Sequence, residues 1–159
     1  MRARVKWFEG MAMVAEADSG HAIVLDGSPE HGGRNLGIRP MEAVLIGVGA
    51  CSAVDVVSIL HKARERVTGC EVLLDGERVD TIPRVFGTIR MTYRVTGHDL
   101  RERAVQRAVE LSAEKYCSAT AMLRPKVTIE RVVEIVEADE EDPSVEDPTG
   151  ASAAPGASG

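Results

Sequence analysis

Aromatic residues are nearly missing from this chain. One Trp, two Tyr and two Phe make up 3% of its 159 residues. Aliphatic side chains must therefore fill its core, and a single domain of this length can bury a substantial one. Closely spaced cysteines are missing too. The three present, Cys51, Cys70 and Cys117, are odd in number and far apart. That disfavours both a disulfide framework and a structural zinc site. His21 and His31 lack a partner at ligand spacing, while His61 and His98 lie in charged or turn contexts, so no metal is expected. Neither residues 1–136 nor residues 137–159 carry the clustered basic stripe of a nucleic-acid binder. "MRARVKWFEG" has no apolar signal region, which makes a reducing cytoplasm the expected compartment. In that compartment a cysteine pair is redox-active more often than architectural.

The net charge of −6 is unevenly placed. Seven acidic and no basic residues fall between Glu137 and Gly159, so the preceding 136 residues are close to neutral. The segment "EADEEDPSVEDPTGASAAPGASG" has almost nothing to bury and cannot offset its ordering entropy. Residues 1–136 are expected to form one domain and 137–159 a disordered tail.

Within the body, Ala3, Val5 and Trp7 alternate with Arg2, Arg4 and Lys6, the period of a half-buried strand. Gly10 permits a turn into "MAMVAEA", and "HAIVLDG" is a third strand ending at an Asp-Gly turn. "SPEHGGRNLGIRP" is a loop by composition. Further on, "CEVLLDGERV" reads as a strand. In "RVFGTIRMTYRVTG", Val85, Ile89, Met91, Tyr93 and Val95 share one face. Asp99 with Glu102 has the pattern of a capping box opening a helix. Leu100, Ala104, Ala108 and Leu111 give that helix an apolar face. "EKYCSATAML" extends or restarts helical structure, Pro125 ends it, and "KVTIERVVEIV" is a last strand.

One long apolar run is present, "AVLIGVGACSAVDVVSIL" from Ala43 to Leu60. It admits three readings. A membrane span of this length is barely long enough and would place Asp55 near the bilayer middle. A strand entering a Gly-x-Gly nucleotide turn at Gly47 and Gly49 lacks the third glycine, and no βαβ series follows it. A central helix opening near Pro40, apolar on nearly every side, fits the proline's place in a first helical turn. The two glycines would weaken that helix by about 1 kcal/mol each, unless close packing compensates.

On the helix reading Cys51 sits mid-helix, where a thiol is ordinarily inert packing. A second cysteine, Cys117, lies in another helical segment, with Lys115 and Tyr116 beside it. If the two segments cross, the thiols could meet; a thiolate could attack a peroxide and the second thiol capture the sulfenic acid as a disulfide. Spacing alone leaves that open. Asp55 falls four residues after Cys51, on the same helical face. Its carboxylate either disfavours the Cys51 thiolate or is a hydrogen-bonded structural residue. Cys70, following Gly69 at a strand start, reads as unreactive.

"RPMEAVLIGVGACSAVDVVSIL" followed by "LSAEKYCSATAML" resembles the OsmC/Ohr family of osmotically induced and organic hydroperoxide resistance proteins, in particular its YhfA-like branch. The resemblance covers the body from "ARVKWFEG" to the last strand and excludes the tail. It implies an α+β fold with two long central helices packed on curved antiparallel sheets, in an intertwined homodimer with sites at the subunit interface. It implies a peroxidatic Cys51 and a resolving Cys117, acting on organic hydroperoxides. Electrons would come from an external dithiol, often lipoyl-based, with no metal or bound organic cofactor. The pattern is broken at one point: the family's peroxidases carry a glutamate just after the helix-opening proline, where this chain has Met41. Glu42 lies one residue later, turned by about 100°. An arginine from an N-terminal loop supports the thiolate in those members; Arg34 and Arg39 lie in the right region, and His21 holds a plausible position. Glu42, Asp55 and Arg39 are thus the candidate supporting residues. The alternative reading is a non-enzymatic member that binds a small apolar ligand at the same interface.

Overall fold

The N-terminal alternation becomes a three-stranded meander in the computed structural model, which describes residues 1–139. β1 (Ala3–Glu9), β2 (Ala12–Ala17) and β3 (Ala22–Leu25) pair antiparallel in that order. Gly10 and Gly20, at φ 57° and 82°, make the two turns. Arg4 and Glu16 are cross-strand partners and form an ion pair at 2.7 Å. A loop with a single 3₁₀ turn at Pro29–His31 leads to the long apolar segment. The buried Asp26 organises that loop: its carboxylate accepts from the amides of Gly27, Arg34 and Leu36 at 2.7–3.1 Å. Those amides, that of Leu36 foremost, hold its pKa below the usual carboxylate value.

The long apolar segment is helix α1 (Pro40–Lys62). Gly47 and Gly49 lie inside it, so no strand-to-helix nucleotide turn exists there. By length and composition alone the helix could cross a bilayer. Here it packs into an α+β fold through a narrow buried stripe of Val48, Gly49, Ser52, Val56 and Leu60. Gly49 lets the adjacent strand pack close: a Cβ there would lie 2.5 Å from Leu74 Cδ1, and the leucine would have to move.

A second sheet carries the core. β4 (Arg66–Arg78) pairs antiparallel with β5 (Phe86–His98), and β5 pairs parallel with β6 (Thr128–Glu137). This sheet is therefore mixed, not antiparallel as expected. The chain reaches β6 only after crossing over the sheet through helical structure, which is what permits a parallel pairing. β5 is central, and Ile89, Met91, Tyr93 and Val95 are buried on one face as the alternation predicted. Val85 is the exception. It precedes the strand and is exposed, while a register shift opposite Glu77 and Arg78 turns Phe86 into the core.

The second helical region is shorter and more broken than two long helices imply. α2 (Glu102–Leu111) runs into a π turn (Ser112–Tyr116), and α3 (Ser118–Leu123) follows. Asp99 does not cap α2. It adopts φ 50° in the preceding turn, and Arg101 is the residue at the helix start. The capping box stands on α1 instead, between Arg39 and Glu42. α2 buries Val105, Ala108 and Val109, a face turned slightly from the expected one. The last strand runs to Glu137, and the Ala138 amide still donates to Gly97. Folded structure thus extends past the expected boundary; residues 140–159 of the expected tail lie outside the described residues.

Candidate functional site

α1 and the π turn bring Cys51 and Cys117 together from 66 positions apart. Cys51 is half-buried midway along α1, and Cys117 is 2% exposed at the junction of the π turn and α3. No disulfide joins them. Burial pushes the Cys117 thiol above its ordinary pKa, and the neighbouring Cys51 pushes it up further. Thr120 opposes both. Its amide donates to the Cys117 sulfur at 3.4 Å, capping α3, and its buried hydroxyl, which has no hydrogen-bond partner among the described residues, lies near the same sulfur. A sulfur that accepts such a donor is better stabilised as a thiolate.

Beneath the thiols runs a buried chain of hydroxyls. Tyr93 of β5 meets Ser52 of α1 at 2.7 Å. Ser52 meets Ser112 of the π turn at 2.8 Å, and the Ser112 hydroxyl donates to the Asp55 carboxylate at 3.2 Å. Desolvation raises the Tyr93 pKa; the Ser52 hydrogen bond lowers it and the nearby Cys117 raises it. Asp55 is therefore on the Cys51 helix, held by a partner 57 residues away. Nothing in the sequence announced Ser52, Ser112 or Thr120, and Tyr93 was legible only as a core residue.

Two candidate supporting residues lie elsewhere within the chain. Glu42 accepts from the Arg39 amide at 2.9 Å and from its guanidinium at 3.0 Å. Those contacts, the amide first, hold the Glu42 carboxyl below its usual pKa. The pair sits at the first turn of α1, roughly 14–18 Å along the axis from Cys51 at 1.5 Å per residue. It edges a cleft of about 460 Å³ that includes Asp26, His31, Met41, Arg78 and Phe86 but no cysteine. Arg34 pairs with Glu9 at 2.8 Å. Lys115 lies over the Tyr116 ring, 5.3 Å from its centroid, both side chains being on the surface. His21 meets Ser19 in the β2–β3 turn. Cys70 lies within β4, where burial raises its pKa. Among the described residues, no three of His, Cys, Asp and Glu converge as a metal site would require.

The α+β fold thus sets the cysteine of a long apolar helix near a second one on a broken helical segment. Residues 32–131 match the family model described as OsmC-like protein, and the chain belongs to that family. It is 49% identical over 138 residues to Protein YhfA of Escherichia coli strain K12, spanning 87% of this chain and all of that protein. A hypothetical protein from Aquifex aeolicus VF5 superposes with a TM-score of 0.76 at 29% identity, over 87% of this chain and 97% of that one. An organic hydroperoxide resistance protein OsmC from Legionella pneumophila superposes with a TM-score of 0.63 at 16% identity, over 84% and 95%. The last likeness is one of fold.

Proposed function

We propose that this protein reduces organic hydroperoxides with its own two thiols. The Cys51 thiolate attacks the peroxide oxygen, the O–O bond breaks, and the alkoxide leaves and takes up a proton as the alcohol. Cys51 is left as a sulfenic acid. Cys117 then attacks the Cys51 sulfur; an S–S bond forms, the S–O bond breaks and the hydroxyl leaves as water. An external dithiol of the lipoyl type restores both thiols by exchange, itself becoming a disulfide. The observation that carries this reading is the pairing of a half-buried thiol with a buried one across α1 and the π turn. The name of the Legionella relative agrees with it.

A second copy of the chain belongs to the same proposal. Outside its buried stripe α1 leaves Ile46 and Val54 open, and Val5, Trp7 and Phe8 of β1 are exposed on a sheet that packs little against the rest of the chain. Apolar surface of this extent, on a helix and a strand, marks an association surface. A dimer there would bring further side chains to the thiols and supply the support that Met41 does not. The reducing cytoplasm would keep the resting dithiol open.

Stoichiometric cumene hydroperoxide tests the reading, with peroxide loss and cysteine linkages followed by peptide mass spectrometry. Rapid loss with a Cys51–Cys117 disulfide is expected, and Cys51→Ser should abolish both. Cys117→Ser should leave a trapped Cys51 sulfenic acid. Loss no faster than with a free thiol, both cysteines staying reduced, overturns the peroxidase and favours a small apolar ligand at the dimer interface.

A further inference from the structure

Ser112 joins the two cysteine-bearing elements. Its hydroxyl oxygen lies 2.8 Å from the Ser52 hydroxyl, 3.4 Å from the Ser52 carbonyl and 3.2 Å from the Asp55 carboxylate, all on α1. Its own carbonyl accepts from the Cys117 amide at 2.8 Å, closing the π turn. Asp55 is thus two hydrogen bonds and one residue of backbone away from the second thiol. We propose that Asp55 is a positioning residue for Cys117: acting through Ser112, it holds the π turn that carries the second thiol against the helix that carries the first. This deepens the dithiol reading above and rests on it.

The chemistry of the groups supports that role. A carboxylate only accepts, so the chain has one consistent order: Tyr93 donates to Ser52, Ser52 to Ser112, and Ser112 to Asp55. Asp55 is the end that selects it. Without that acceptor the order can reverse, Ser112 donating to Ser52, Ser52 to Tyr93 and Tyr93 to Met91 Sδ at 3.6 Å, and Ser112 loses its tie to the second position on α1. A π turn is a wide and uncommon helical turn, found often at functional sites, and the Ser112 hydroxyl is where this one is tied to α1. Holding matters because a misplacement of about 1 Å can cost an attacking group roughly a hundredfold in rate.

The test is thiol–disulfide exchange in a Cys70→Ser background, with the aromatic disulfide dithionitrobenzoate added at one equivalent. Cys51, the more exposed thiol, forms a mixed disulfide and releases one thionitrobenzoate. The Cys117 thiol loses its proton to solvent and attacks the Cys51 sulfur. The Cys51–Cys117 bond forms, the bond to the aryl thiol breaks, and a second thionitrobenzoate leaves with the electron pair. Absorbance separates the two releases, and mass spectrometry identifies the mixed disulfide.

Asp55→Ala and Ser112→Ala should each slow the second release by about tenfold or more without slowing the first. Asp55→Asn, whose side-chain carbonyl still accepts from Ser112, should close within about threefold of the parent. Unaltered closure in either alanine variant overturns the proposal. So does an equal slowing of both releases, which would mean general loss of packing, or an Asp55→Asn as slow as Asp55→Ala. No hydroperoxide is involved, so failure of the peroxidase reading shows separately, as absent peroxide turnover with this exchange still measurable.

Discussion

Glu65 stands at the turn between α1 and β4 with a side chain only 4% exposed, yet it is charged. It accepts from the Arg101 amide at 3.1 Å and from the Arg101 guanidinium at 2.7 Å, tying the end of the Cys51 helix to the start of α2. The amide bond is the main reason its pKa lies below the usual value; desolvation works against the shift and the guanidinium reinforces it. Glu65→Gln should cost about 1.5–3 kcal/mol at neutral pH, the range for a hydrogen bond to a charged group. Because the folded pKa is lowered, this stabilisation is complete above the unfolded pKa of about 4.3 and is lost as pH falls through the folded value. Urea unfolding at several pH values should show parent and variant converging on acidification. Residues of this kind were the least legible ones. Cys51 and Cys117 could be singled out because few side chains do thiol chemistry, and Asp55 because four residues is one helical turn. Their partners are hydroxyls, and a serine that will be buried reads no differently from one that will face water.

Elements were read better, because period is a property of consecutive residues. The three N-terminal strands, α1, and the buried face of β5 follow from alternation or continuous apolarity, although β1, expected to be half-buried, has all seven residues exposed within this chain. Contacts between distant segments were not available. The sequence of β6 reads as a strand whichever way its neighbour runs, so the parallel pairing stayed hidden. The Asp99 capping pattern failed because the backbone there turns left-handed before α2 begins. A helical seam with such tight contacts should be sensitive at Gly49. An alanine there gains up to about 1 kcal/mol in helix propensity. Its methyl must displace Leu74 of β4, an overpacking that costs about 1–3 kcal/mol. Gly49→Ala is therefore expected to lower the melting temperature; a rise would mean that the helix and sheet slide apart at little cost. Gly47, two residues earlier, has open space beside it within the chain.

For the molecule as a whole, the uncovered surfaces of α1 and the first sheet give the proposed dimer its sharpest test. Val54 is 70% exposed at the middle of the outer face of α1. Val54→Glu would place a charge where the second copy is proposed to pack, and desolvating that charge is costly. Light scattering should find a dimer for the parent chain and a monomer for the variant; a parent chain that is already monomeric removes the proposal. The sequence alone could not place this surface, since an all-apolar helix looks the same whether its own chain or another covers it.

The pairing of β5 with β6 bears on how the chain is assembled during synthesis. β5 can join β4 as a local hairpin, but its other edge must wait for residues 128–137, about forty positions further on. Until they emerge, the central strand of the molecule is an open edge of the kind that recruits other nascent chains. Arg90 and Arg94 stand along it, opposite Asp75 and Glu71 of β4, with Arg94 paired to Glu71 at 3.2 Å, and their long charged side chains discourage such pairing. When β6 arrives they pair with Glu130 and Glu134 at 2.9 and 3.1 Å, each directly opposite in the ladder. A slip of two residues would set those arginines beside Thr128 and Val132, or Val132 and Val136, instead. The same two side chains thus guard the unfinished sheet and then index its final strand.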